Sequence, residues 1–82
     1  MIRIIYFGLL KDLLGLNEEQ LAWQGASSDE LLNHLRRRGA KWSEHLSEKN
    51  IFRLVVNQQI IYEPTFIKPG DEVAILPPVT GG

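Results

Sequence analysis

The sequence contains no cysteine. That excludes a disulfide framework, a thiolate-held metal, and any thiol of its own on which to carry sulfur. No apolar run approaches the ~20 residues that a membrane-spanning helix needs. The opening Met1-Ile2-Arg3-Ile4-Ile5-Tyr6-Phe7 lacks the long apolar region and cleavage site of a signal peptide. An excess of one charge is missing too: the formal net charge is -1, which argues against a nucleic-acid or anionic-membrane partner. The only histidines, His34 and His45, have no ligand pattern around them, so no bound metal is expected. Gly-rich phosphate loops and Ser-His-Asp spacings are lacking as well. A chain so equipped is expected to be cytoplasmic and to carry no catalytic machinery of its own.

What is present suits one small domain. Eighty-two residues with 44% hydrophobic and 23% charged content can bury roughly 60–65% of the unfolded surface in one modest core. Ile2 to Phe7 reads as a strand, broken by Gly8. Leu9, Leu10, Leu13 and Leu14 recur at helical spacing before Gly15, predicting a two-turn helix. Glu19 to Trp23 fits a second strand. Ser27-Ser28-Asp29-Glu30 matches a capping box, opening a longer helix with Leu31, Leu32 and Leu35 as its apolar stripe. Arg36, Arg37 and Arg38 complement the helix dipole in its last turn, and Gly39 ends it. Trp42, His45 and Leu46 suggest a further helical turn. Phe52 to Val56 and Ile60 to Tyr62 read as strands joined at Asn57-Gln58-Gln59. Lys68-Pro69-Gly70-Asp71 is a turn before a last strand, Glu72 to Leu76.

This order predicts an α+β domain, a sheet covered on one face by one main helix. A parallel, central pairing of the first and last strands would make it a β-grasp fold, as in ubiquitin. Alternate strand residues point to opposite faces. Arg3 and Glu72 mark their sets as the solvent side, which places Ile5, Phe7, Ala74 and Leu76 away from the helix, with Ile60 able to join them. Left uncovered, that patch would suit a protein partner; a short helix or Trp42 folding over it is the alternative.

The chain closes with Pro77-Pro78-Val79-Thr80-Gly81-Gly82. Two φ-locked prolines project a chain away from what precedes them, and two glycines enter a cleft too narrow for any Cβ. Residues 77–82 are therefore read as a protruding tail on a domain spanning 1–76, with a reach of about 20 Å when extended. A frayed terminus or a cloning remnant would also end in Gly-Gly.

The N-terminal Ile-Arg-Ile-Ile-Tyr-Phe strand, Val56-Asn57-Gln58, Gly70-Asp71-Glu72-Val73-Ala74 and the Pro-Pro-Val-Thr-Gly-Gly ending together resemble the small subunit of molybdopterin synthase. The sulfur carrier of thiazole biosynthesis shares the Gly-Gly end but is usually shorter and lacks the Pro-Pro-Val-Thr lead-in. The resemblance implies a ubiquitin-like β-grasp fold. It further implies that the Gly82 carboxylate is adenylated by a ubiquitin-activating-enzyme-like adenylyltransferase that uses ATP, then converted to a thiocarboxylate. The large synthase subunit would use that sulfur to build the dithiolene of molybdopterin, in a heterotetramer of two small and two large subunits. Gly81, Thr80 and Val79 match the inserted tail, and Phe7, Ile60 and Leu76 match the apolar interface with the large subunit. Two other readings stay open: a ubiquitin-like modifier joined to lysines through Gly82, and a plain interaction domain whose tail is incidental.

Overall fold

The computed structural model describes residues 1–49 and 52–77 of the chain. Strand β1 (Ile2–Tyr6) leads into helix α1 (Gly8–Leu14), which buries Leu10 and Leu14, one turn apart on one side. Gly15 caps it in the left-handed region (φ 71°), its N–H donating to the Lys11 carbonyl at 2.9 Å. Strands β2 (Glu18–Leu21) and β3 (Ala26–Ser27) follow. Helix α2 (Ser28–Arg36) starts at the predicted cap: Glu30 N–H donates to Ser27 Oγ at 3.2 Å. Helix α3 (Ala40–His45), strands β4 (Arg53–Val56), β5 (Gln59–Ile61), β6 (Phe66–Ile67) and β7 (Glu72–Leu76) complete the described chain.

Five strands form one mixed sheet in the order β2-β1-β7-β4-β5. The first and last strands are neighbours and run parallel; the other pairings are antiparallel. This is the β-grasp arrangement, with β7 in the middle. The β4–β5 hairpin turns on Asn57 and Gln58, both at positive φ (50° and 70°), which matches the twist of the strands it joins. Ile2, Ile4, Tyr6, Val73 and Ile75 from the central pair meet Leu31 and Leu35 of α2, with Leu46 and Ile67 closing the ends. Each such side chain contributes about 1.5–3 kcal/mol by leaving water.

Several sequence expectations shift. Trp23 lies beyond β2 and instead donates its indole N–H to the Ile67 carbonyl at 3.1 Å. Helix α2 ends at Arg36, and Gly39 does not stop it but precedes α3. The arginines at the helix end are held by specific partners rather than by the dipole alone. Arg36 donates to the Leu46 carbonyl (2.7 Å), and Arg38 grips Glu19 through two hydrogen bonds (2.7 and 2.6 Å) while stacking on Trp42. Tyr6 Oη donates to the same Glu19 at 2.6 Å. Burial alone would raise the Glu19 carboxyl, but these donors outweigh it and hold it below the ordinary value. The small β3–β6 ribbon was not foreseen. Two-residue strands carry no readable period.

Candidate functional site

Among the described residues helices cover only the inner face of the sheet, so the outer face is where strand parity leaves apolar groups without a helix above them. Pairing register lines them up in rows. Ile5 on β1 stands beside Ala74 on β7, Ala74 beside Val55 on β4, and Val55 beside Ile60 on β5. Toward the tail comes a second row. Phe7, whose N–H donates to the Ile75 carbonyl at 3.2 Å, flanks Leu76; Leu76 pairs with Arg53, and the Arg53 guanidinium lies 5.7 Å from the Tyr62 ring. At the opposite end of the face, Arg3 pairs with Glu72 in register and bonds both Glu18 (2.8 Å) and Glu72 (3.2 Å). The Arg3 hydrogen bond, reinforced by its charge, holds the Glu18 carboxyl below its ordinary value. One end of the face is thus charged and internally paired; the other is apolar at Phe7 and Leu76 and flanked by Arg53.

Phe7 and Ile60 are exposed at 44% and 43%, while Leu76 and Ile5 are half-buried. The expectation for Ala74 needs correcting: it points to this face but is buried, because its single methyl group lies in register between Ile5 and Val55. Phe7 and Leu76 are adjacent, whereas Ile60 belongs to the next row, on the edge strand. Val55, Arg53 and Tyr62 had not been assigned to the face. Extending the alternation that buries Leu54 and Val56 to the other residues of β4, then folding the hairpin at Asn57-Gln58, would have found them.

The root of the tail is built with equal care. Gly8 adopts φ 57°, and a Cβ there would lie 2.9 Å from Pro77 Cγ. The ring of Pro77 therefore rests on bare backbone beside Phe7. The far end of β7 is anchored by Asp71, which is buried and accepts from Asn57 Nδ2 (3.0 Å), Lys68 N–H (2.9 Å) and Lys68 Nζ (3.0 Å). Asn57 in turn accepts from Glu72 N–H at 3.0 Å. Burial would raise the Asp71 carboxyl, yet these donors hold it below the ordinary aspartate value. Val79, Thr80, Gly81 and Gly82 lie outside the described residues. Among the described residues there is no cluster of three or more metal-ligating side chains, and no helix long and apolar enough to cross a membrane.

The model of the ThiS family matches residues 4–82. The chain belongs to the ThiS family. Curated relatives span it from end to end. One from Haemophilus influenzae is 34% identical over all 82 residues of both chains, and one from Escherichia coli is 29% identical with the same coverage. A relative from Chlamydomonas reinhardtii is 29% identical over 99% of this chain and 98% of its own. All three are named molybdopterin synthase sulfur carrier subunit. Among solved structures, the small archaeal modifier protein 1 of Methanosarcina acetivorans superimposes with a TM-score of 0.73, covering 99% of this chain and 95% of its own. At 23% identity it supports the fold alone. In this ThiS-family chain, the Val56-Asn57-Gln58 and Gly70-Asp71-Glu72 motifs form the clamp that anchors the central strand. Their side-chain hydrogen bonds hold the start of β7.

Proposed function

We propose that this chain is the sulfur-carrier subunit of a molybdopterin synthase, with Gly82 as its reacting residue. The observation that carries the reading is the end-to-end similarity to curated subunits of that name. The geometry supports it through β7. That strand is hydrogen-bonded on both sides and leads directly into the prolines of the tail. The chain supplies no general base; it is a substrate of one partner and a subunit with another.

The chemistry follows from the terminus. A free α-carboxyl has a pKa of roughly 3.3–3.7, so at neutral pH it is an anion with a poorly electrophilic carbon. In the first step a carboxylate oxygen of Gly82 attacks the α-phosphorus of ATP on an adenylyltransferase, expelling pyrophosphate. A sulfide-level nucleophile then attacks the carbonyl carbon of the mixed anhydride and AMP leaves. The resulting thiocarboxylate is polarizable and ionised at neutral pH, fit to attack the pterin precursor when Val79, Thr80 and Gly81 thread into the large subunit. Gly81 and Gly82 have no side chain to obstruct that path. Phe7, Leu76 and Ile60 dock against the large subunit, two copies of each chain forming the assembly in the cytoplasm.

The test is intact mass after incubation with the activating enzyme, ATP and a sulfide source. Replacement of one oxygen by sulfur, lost on deletion of Gly82 while the thermal unfolding curve stays unchanged, is the expected result. Ladders of conjugates on lysines would favour a protein modifier instead, a reading compatible with the shared activation chemistry. An unaltered mass in the wild-type chain would remove the carrier reading.

A further inference from the structure

Two arginines lie on the outer face, and they differ in how they are satisfied. Arg3 is taken up by Glu18 and Glu72. Arg53 makes no ion pair with any described residue; its guanidinium is held only against the Tyr62 ring, itself 76% exposed. It stands directly beside Leu76, in the row that borders the tail. A guanidinium stacked on an aromatic ring keeps its N–H edge free and pre-oriented for a planar acceptor.

Resting on the docking proposed above, we infer that Arg53 and Tyr62 extend the interface with the large subunit and select a partner surface bearing a carboxylate next to its apolar centre. The reasoning is one of desolvation. When a partner covers Leu76, it strips water from the guanidinium immediately beside it. A charge left without an acceptor there would oppose binding, whereas a facing Asp or Glu makes a charge-assisted, two-pronged contact. Among the described residues no carboxylate forms an ion pair with Arg53: Glu18 and Glu72 are engaged with Arg3 at the other end of the face, and Asp29, Glu48 and Glu63, which line the neighbouring surface pockets, make none with it. Arg53 and Tyr62 thereby set partner specificity and encounter rate, while Phe7 and Leu76 provide the apolar contact.

The experiment measures binding of the full-length chain to the large subunit of the same organism at low and moderate salt. R53E should weaken binding by about thirtyfold or more, because like charges then face one another. R53A should weaken it by about five- to tenfold and flatten the dependence on salt. R53K should restore the salt dependence but only part of the affinity, having charge without a planar fork. Unfolding temperatures should match wild type, both side chains being exposed. L76E serves as the reference and should abolish binding. If L76E does so while R53A keeps wild-type affinity and salt response, the assignment of Arg53 is overturned and the docking face stands. If L76E binds normally, the docking face falls and this assignment falls with it.

Discussion

The two faces of the sheet are cut from the same strands yet differ in what completes them. On the inner side, Ile4, Val73 and Ile75 are closed over by the leucines of α2, and Tyr6, Glu19, Arg38 and Trp42 seal the rim. On the outer side, two rows that expose Phe7 and Ile60 have no helix above them among the described residues. Burial energy drawn from within the chain stabilises the fold. The same kind of surface left open supplies free energy to association instead. The difference teaches that apolar content alone does not tell core from interface; the number of available helices does.

Substitutions should separate the faces. The largest expected effect is Leu35→Ala, which empties a fully buried site and should cost about 2–5 kcal/mol in chemical denaturation. Affinity of the remaining folded protein for the large subunit should change little. A loss of affinity as large as the loss of stability would erase the distinction. Next comes Phe7→Ala. It should reduce that affinity by one to two orders of magnitude, as removing an aromatic anchor does, with a much smaller change in denaturation midpoint. Unchanged affinity by calorimetry would show that this face is not the one engaged.

A subtler effect is acid sensitivity. Asp71 and Glu19 are both held below their ordinary values in the folded state. Their contribution is therefore complete above the unfolded-state values of about 4 and lost as pH falls through the lower folded values. Asp71→Asn should lower stability at neutral pH and flatten its decline in acid; a parallel decline in both proteins would exclude Asp71 as a cause. The smallest effect belongs to Arg3→Ala. Its ion pairs are solvent-exposed, so stability should stay within experimental scatter. A clear destabilisation would mean that the charged end of the outer face is structural after all.

Much of this was legible in the sequence because it is local. The Ser27 cap, the leucine spacing of α2 and the limits of β7 follow from neighbouring residues. Parity correctly placed Ile5, Phe7 and Leu76 on the outer face, since the alternation in β1 is unambiguous. What escaped depends on pairing across distance. Ala74 looked exposed until its flanking strands were known, and Arg38 looked like a helix-end charge until Glu19 came within reach. The β3–β6 ribbon exists only because residues some forty positions apart meet. For the tail the balance reverses: the reading of Val79 to Gly82 rests on sequence and kinship, outside the described residues.

The central position of β7 also orders events during synthesis. Its partners are the first described strand and β4, so the sheet stays split until residues 72–76 have been made. Contacts between residues some seventy positions apart close late and slowly. A polypeptide released early would lack its middle strand and be exposed to proteases. Completing the sheet thereby requires Glu72–Leu76, the segment that immediately precedes the Pro-Pro-Val-Thr-Gly-Gly sequence.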